Sequence, residues 1–310
     1  MKIWIDITTP ADVSLFNTVM QDNPQHEYIV TSRVGDGYTE LIELLDHYKI
    51  KYYTIGRYGT NKFDKLVAYA DRIKELAYFI NEQKIDLAIN LIGVDATRVA
   101  YGLGIPVYTI NDMPYIGNNL TPQAKLTAPI STKYIVPFYS KFETPYKFNF
   151  FMQQLWLKPI SNNKSNIIIY RDNASYYDYN QKQEDYLEAI YKAFGKEFIY
   201  YNIPRYKHSK KYDFAINLEK ATDIRPLLAQ AKYVIGGGGT INIEALYYNC
   251  TVISIRRFKT EYDEALQDSI FYTRDKDEII DIIKSKKTLP NKLQKIKVDK
   301  KEFYQMLDLL

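Results

Sequence analysis

Residues 236–245 read Gly236-Gly237-Gly238-Gly239-Thr240-Ile241-Asn242-Ile243-Glu244-Ala245, and this stretch decides the fold. It follows an apolar run at residues 233–235 that predicts a buried strand, and it leads into a helical pattern at residues 241–248. Glycine lets a ligand approach the backbone closely, and the N–H groups at a helix start attract phosphate. The alternative is a tight turn without a ligand, but four glycines exceed what a turn needs. The stretch therefore predicts a phosphate site at the carboxyl end of a strand in an open α/β sheet.

The same stretch excludes two common nucleotide motifs. It lacks the Lys-Ser or Lys-Thr ending of a P-loop, so ATP hydrolysis is not indicated. It also lies far from the start of the chain, where a dinucleotide fingerprint usually stands. The three histidines, His26, His47 and His208, do not have the spacing of metal ligands, and we predict no metal site.

Strand and helix patterns alternate along both halves of the chain. In the first half, apolar runs predict strands at residues 2–7, 28–31, 52–55, 87–90, 107–110 and 134–136. In the second half, they predict strands at residues 167–170, 198–201, 214–217, 233–235 and 252–255. Helical patterns lie between these strands, which favours βαβ units and parallel sheets. A chain of 310 residues is too long for one core. We predict an α/β protein with two Rossmann-like domains, at residues 1–145 and 146–310.

The segment at residues 137–163 interrupts this alternation. It contains three prolines and eight aromatic residues. We interpret it as the connection between the domains, packed against both of them. Contact of these aromatic side chains with a membrane is the alternative.

Composition narrows the class of protein. The formal charge is only +4, and no run of five basic residues is present, so nucleic acid is not an expected partner. The lysines concentrate between Lys284 and Lys301, where weak attraction to an anionic membrane surface stays open. The single cysteine, Cys250, excludes an internal disulfide. With no secretory signal and no apolar run of about 20 residues, we expect a cytoplasmic protein, with peripheral contact at the inner membrane face left open.

Four stretches in order resemble a known family. They are residues 3–8, residues 98–106, Asn111-Asp112 and residues 236–245. Together they resemble the domain-of-unknown-function family 354 over nearly the whole chain. Members of that family look like GT-B glycosyltransferases and are similar to UDP-N-acetylglucosamine 2-epimerases. The resemblance implies a GT-B fold with two facing Rossmann-like domains and a nucleotide-sugar cleft between them.

The resemblance also assigns nucleotide contacts. In the similar transferase that adds N-acetylglucosamine to a lipid-linked muramyl-peptide, the glycine-rich turn and its helix hold UDP. Carried over, Gly238, Gly239 and Thr240 would contact phosphate and Glu244 the ribose, with Gly237 and Asn242 in the same site. Arg171, after the first strand of the second half, is a candidate for the diphosphate charge, or else a surface arginine. Arg205 and Arg256 are weaker candidates of the same kind. No cofactor is implied, since the nucleotide-sugar is the substrate.

The chain departs from the family where the first strand ends. The usual run Pro-Pro-His-Val-His appears as Pro10-Ala11-Asp12-Val13-Ser14, so Asp12 replaces a histidine that looks like a base or a substrate contact. An aspartate near an acceptor hydroxyl can act as general base. The alternative is that Asp12 only caps the first helix.

Two further runs have also changed. The usual His-Gly-Ser-Pro appears as Leu91-Ile92-Gly93-Val94, and Asp-Thr-Glu-His appears as Asp112-Met113-Pro114-Tyr115. Either the acceptor differs or the protein has kept the fold and lost the reaction. Asp112 remains at the expected wall of the cleft, and we predict it as the second candidate base. Asp95 also remains, and we interpret it as structural.

Three functions follow from these features. The first is an inverting, metal-independent glycosyltransferase that uses a nucleotide-sugar, with UDP as the expected nucleotide, and acts on a glycan or a lipid-linked acceptor. The second is a sugar-nucleotide epimerase-like enzyme, against which the lost polar residues count. The third is a catalytically silent protein that binds a nucleotide or a glycan.

Overall fold

A computed structural model describes residues 1–35, 40–161, 163–172, 184–204 and 209–310. These residues divide into two compact units. The first unit consists of Met1–Trp156, Thr260–Tyr262 and Lys297–Leu310. The second consists of Leu157–Lys259 and Asp263–Ile296. No helix within the described ranges is both long enough and apolar enough to cross a bilayer.

The first unit alternates strands with helices, as the apolar runs predict. Its strands are β1 (Lys2–Ile7), β2 (Glu27–Gly35), β3 (Tyr53–Tyr58), β4 (Leu87–Leu91), β5 (Val107–Ile110), β6 (Tyr115–Ile116), β7 (Asn119–Leu120), β8 (Lys133–Pro137) and β9 (Lys147–Phe148). Its helices are α1 (Pro10–Asp22), α2 (Glu40–His47), α3 (Lys62–Asn81), α4 (Val94–Gly102) and α5 (Pro122–Thr127), together with α11 (Lys300–Met306) near the end of the chain.

The main sheet of the first unit is parallel, with strand order β3-β2-β1-β4-β5-β8-β9. Strands β6 and β7 form a separate antiparallel pair. Strand β4 is buried at every position, as expected for a parallel strand covered by helices on both faces. The direction of the strand order reverses between β1 and β4, which is the place where open α/β sheets bind ligands.

The second unit repeats this plan. Its strands are β10 (Ser165–Arg171), β11 (Ile199–Ile203), β12 (Ile216–Asn217), β13 (Ala231–Gly236), β14 (Thr251–Ser254) and β15 (Phe271–Tyr272). Its helices are α6 (Tyr186–Phe194), α7 (Arg225–Gln230), α8 (Gly239–Tyr247), α9 (Glu261–Ala265), whose first two residues belong to the first unit, and α10 (Lys276–Lys284). The sheet is parallel with order β12-β11-β10-β13-β14-β15, so its order reverses between β10 and β13. The predicted α/β class with two parallel Rossmann-like sheets is confirmed.

The division between the units differs from the one predicted at residues 145 and 146. It falls after Trp156, and the last residues of the chain return to the first unit. The reason is an aromatic cluster within the first unit. The ring of Phe303 on α11 lies 5.3 Å from that of Phe148 and 5.6 Å from that of Phe150. Because Phe148, Phe150, Phe151 and Trp156 are buried, they do not form a membrane-facing surface.

A buried ion cluster joins four elements of the first unit. The guanidinium of Arg72, on α3, donates to Asp6 on β1 at 2.6 and 3.1 Å and to Asp95 on α4 at 2.6 Å. Its Nε donates to the carbonyl of Ile55 on β3 at 2.9 Å. The Arg72 side chain is fully buried, and the hydroxyl of Thr31 on β2 donates to Asp6 at 2.6 Å. Asp95 therefore has the structural role that the sequence predicted, through ion pairs with Arg72 and Arg33.

Replacing Arg72 tests how much this cluster contributes. Arg72→Met leaves Asp6 buried without its cation and Asp95 paired, at 3.7 Å, with Arg33, so we expect the free energy of unfolding to fall by about 3–5 kcal/mol. Urea denaturation monitored by circular dichroism measures the difference. Lys74→Met, on an exposed position of the same helix, should change it by less than about 0.5 kcal/mol. Equal effects of the two substitutions would show that the cluster does not hold the unit together.

Candidate functional site

The glycine-rich stretch lies at the carboxyl edge of the second sheet. Strand β13 ends at Gly236, and α8 begins at Gly239. Gly238 occupies the N-cap position in an extended conformation, and no side chain caps the helix. The N–H groups in the first turn of a helix lack intrahelical acceptors and carry the positive end of the helix dipole. This edge is therefore built to attract an anion, as the sequence predicts.

Arg171 lies beside the glycine loop. It is the last residue of β10, in register with Gly236 on β13, and its carbonyl accepts the N–H of Gly237 at 2.9 Å. The Arg171 side chain is half-buried. A guanidinium keeps its positive charge at every accessible pH. The structure thus brings together the predicted cation and the predicted anion site at the point where the strand order reverses.

Thr240 and Glu244 lie on the same side of α8, since residues four apart in a helix are neighbours on its surface. Gly238, Gly239 and Thr240 are half-buried, so a ligand can approach them. Gly237 and Glu244 are buried. The phosphate and ribose roles of these residues stay predictions. In the structure, Gly238, Gly239 and Thr240 lie at the start of α8, and Glu244 lies about one turn further along the same helix.

Asn242 has a different position from the other predicted contacts. It is fully buried, and its Nδ2 donates to the carbonyl of Gly236 at 3.2 Å. A Cβ atom at residue 236 would lie 2.0 Å from Asn242 Oδ1, so only glycine fits there. The amide nitrogen of Asn242 thus supports the loop from within the protein, while its Oδ1 has no hydrogen-bond partner among the described residues. The predicted ligand contact of Asn242 stays a prediction.

Sequence reasoning missed one polar group at this edge. Ser254 ends β14 in register with Gly236, and its side chain is buried. Within the described residues, its Oγ has no hydrogen-bond partner. The available signal was a polar residue, Ser254, within the apolar run 252–255. Of the weaker candidates, Arg256 is paired with Asp263 at 2.7 Å, and Arg205 lies outside the described residues.

In the first unit, Asp12 belongs to the start of α1. The N-cap is Thr9, not Asp12, which occupies the third helical position and completes a capping box. Its carboxylate accepts the N–H groups of Thr8 at 2.7 Å and Thr9 at 2.9 Å, and the Thr9 hydroxyl at 2.6 Å. Burial raises the pKa of Asp12 to about 6, although these hydrogen bonds oppose the rise. With both oxygens engaged and no exposed surface, Asp12 is poorly placed to act as a general base.

Asp112 is more accessible. It follows β5 and is half-buried. The turn that carries it is fixed by Asn111, whose amide donates to the Tyr134 hydroxyl at 2.6 Å and accepts the N–H of Met113 at 2.8 Å. Asp112 therefore remains the better candidate base. Among the described residues, no group of three histidine, cysteine or acidic side chains is arranged to hold a metal ion.

These features define a GT-B fold with two Rossmann-like units, and the predicted anion site lies at the edge of the second sheet. The chain belongs to the family described as protein of unknown function DUF354, which matches residues 1–149 and 135–309. The predicted family is thereby confirmed.

Three known proteins show how far the likeness extends. The uncharacterized protein MJ0665 of Methanocaldococcus jannaschii is 27% identical over 285 residues, which is 82% of this chain and 81% of that protein. The UDP-GlcNAc 2-epimerase of the same organism, solved with UDP-GlcNAc and UDP, has a TM-score of 0.65 at 12% identity, covering 100% of this chain and 99% of that chain. The spinosyn forosaminyltransferase SpnP has a TM-score of 0.61 at 10% identity, covering 90% of this chain and 88% of that chain.

The raised pKa of Asp12 predicts a pH dependence of stability. Because the folded pKa lies above the unfolded value of 3.8, the contribution of Asp12 is greatest below about pH 4 and is lost as the pH rises through 6. The stability of the native protein relative to Asp12→Asn should therefore fall by about 2 kcal/mol between pH 4.5 and pH 7. Urea denaturation at both pH values measures the change.

Asp64 provides a matched control for this prediction. It occupies the same helical position in α3, but the Arg57 guanidinium lowers its pKa, together with the backbone N–H of Thr60. Its contribution is lost only as the pH falls towards the unfolded value and below it. Asp64→Asn should thus show a constant difference over the same interval. A constant difference for Asp12→Asn as well would contradict the expected cost of a buried charge at Asp12.

Proposed function

We propose that this protein binds a UDP-sugar at the carboxyl edge of its second sheet and transfers the sugar to an acceptor hydroxyl, with inversion and without a metal ion. The observation that carries the proposal is the uncapped first turn of α8 beside Arg171. Helix N–H groups and a guanidinium are the two protein groups that bind diphosphate most readily. The UDP and UDP-GlcNAc bound by the similar epimerase support the choice of nucleotide.

The proposed reaction uses these groups as follows. The acceptor oxygen attacks the anomeric carbon of the sugar from the side opposite the diphosphate, and the bond between that carbon and the diphosphate oxygen breaks. The electron pair leaves with UDP, where the α8 N-terminus and Arg171 stabilise the added negative charge. The acceptor proton passes to a general base, for which Asp112 is the better of the two candidates that the sequence predicts. Attack from the opposite side inverts the configuration, and the cationic protein groups take the role that a metal ion has in other transferases.

A second candidate is epimerisation of a UDP-sugar. The observation that favours it is the similarity in length and fold to the Methanocaldococcus jannaschii epimerase, which extends over the whole chain. Epimerisation requires acid and base groups at the sugar, and this chain has Leu91 and Pro114 in two of the changed runs. Both are buried in the structure, so neither supplies such a group.

The ribose contact gives the first test. Losing a hydrogen bond to a charged group costs about 1.5–3 kcal/mol, so Glu244→Ala should weaken UDP binding about ten- to a hundredfold. Binding of inorganic diphosphate, which has no ribose, should change far less. Isothermal calorimetry measures both. Asp277→Ala removes an exposed carboxylate from the same unit and should leave both affinities unchanged. Equal losses for the two ligands in Glu244→Ala would contradict the ribose role.

Release of UDP from UDP-sugars tests the reaction itself. Removing a general base should lower the rate about 10²–10⁴-fold, so Asp112→Asn should release UDP that much more slowly while binding it as tightly as the native protein. Asp12→Asn, assayed where it is folded, should keep most of the activity. Product analysis by NMR distinguishes a transferred sugar from an epimer. A native protein that binds UDP tightly and converts no UDP-sugar would show a silent binder.

A further inference from the structure

Helix α3 has two apolar faces, and only one of them is buried. Towards the sheet it packs the buried residues Ala68, Leu76 and Ile80. A second apolar stripe, Phe63, Leu66, Val67 and Ala70, has the i, i+3, i+4, i+7 spacing of one helix face and points to solvent. The Phe63 side chain is 76% exposed and that of Leu66 is 65% exposed. The outer face of a surface helix is normally polar, and a contiguous exposed apolar stripe marks an interaction site.

The charge around this stripe is positive. From residue 57 to residue 67 the chain carries three cations, Arg57, Lys62 and Lys65, and one anion, Asp64, which gives a formal charge of +2. The exposed side chains of the next two turns, Asp71, Lys74 and Glu75, sum to −1. The cations are therefore concentrated at the same end of α3 as the apolar stripe, which favours an anionic partner there.

Residues of the neighbouring strands β2 and β3 contact the cations beside the apolar stripe. The ring of Tyr58, at the end of β3, lies between two cations, with Lys65 Nζ 4.5 Å and the Arg33 guanidinium carbon 4.7 Å from its centroid. Arg57 is fixed by two hydrogen bonds to Asp64, of 2.9 and 2.5 Å. Val34, which is in register with Arg57, adds a further exposed apolar side chain beside these cations. The surface thus combines projecting apolar groups with ordered cations.

We propose that the first two turns of α3 bind an anionic lipid surface. Phe63, Leu66 and Val67 enter the boundary between headgroups and acyl chains, and Lys62 and Lys65 contact the anionic headgroups. Apolar side chains on one face with lysine or arginine beside them are the pattern of interfacial membrane helices. The apolar side chains of the stripe project from the helix surface rather than line a groove. Projecting side chains of this kind can insert into a lipid surface, which deforms around them. The proposal is independent of the nucleotide site in the second unit, and it places the membrane contact on α3 rather than on residues 137–163.

Sedimentation of the full-length protein with vesicles tests this surface. The native protein should bind vesicles made of equal parts phosphatidylcholine and phosphatidylglycerol, bind pure phosphatidylcholine much more weakly, and lose affinity as salt is added. Leu66→Glu should weaken binding to the anionic vesicles by about tenfold or more. Lys62→Glu should weaken it by about fivefold or more, the effect of losing about 1 kcal/mol per cation.

Tyr78→Glu is the matched control. Tyr78 is 69% exposed on the same helix, beyond the basic end, so this variant should bind like the native protein. All variants change exposed positions, and circular dichroism and calorimetric UDP binding should match those of the native protein. Absent binding to anionic vesicles, unchanged binding by Leu66→Glu, or equal loss by Tyr78→Glu would each overturn the proposal. A native dimer in light scattering that Leu66→Glu converts to a monomer would instead show that the stripe is covered by a second copy of the chain.

Discussion

The buried guanidinium of Arg72 is the interaction on which the first unit depends. It contacts two carboxylates and a backbone carbonyl, and it thereby connects β1, β3 and α4 through α3. The contacts need a cation with several donors in fixed directions, which lysine does not provide. They also fix the backbone nearby. A Cβ atom at Gly56, whose φ is +71°, would lie 2.7 Å from the Arg72 side chain.

Six strands have the same order in both sheets, but different groups lie at the place where that order reverses. In the first unit, the space after β1 and β4 is taken by the protein's own polar groups, namely the Arg72 cluster and the capping box of Asp12. In the second unit, the corresponding strands β10 and β13 end in Arg171 and a loop of glycines. Among the described residues, the turn after β13 has no side chain at residues 236–239, so that backbone N–H groups and the Arg171 guanidinium lie at this edge. The same topology therefore gives an edge whose polar groups pair with one another in the first unit and an edge with the predicted anion site in the second.

The sequence predicted the features that are local in the chain. The strand at residues 2–7 coincides with β1, and the glycine-rich stretch lies between a strand and a helix as expected. Helix α8 begins at Gly239 rather than at Ile241, because glycine at the N-cap and the first helical position leaves little side-chain signal. Arg171, predicted to follow the first strand of the second half, is the last residue of β10, and it lies beside the loop because neighbouring parallel strands end at the same edge of the sheet.

What the sequence did not predict depends on contacts between distant residues. The partners of Arg72 are 66 and 23 residues away, although its place on the apolar face of α3 was a signal of burial with a counter-charge. The burial of Asp12 depends on how α1 meets the first sheet. The compact units differ from the predicted domains because aromatic residues of the segment 137–163 pack against Phe303 of α11, which follows the second unit in the chain.

This last contact has a consequence for the order of folding during synthesis. The ribosome completes the strands of the first unit well before it makes Lys297–Leu310, and the whole second unit emerges in between. Until Phe303 arrives, the rings of Phe148 and Phe150 lack the side chain that covers them. The second unit can thus close on the ribosome while the first still exposes apolar surface. A fragment ending at Trp156 would keep that surface open and be prone to aggregate.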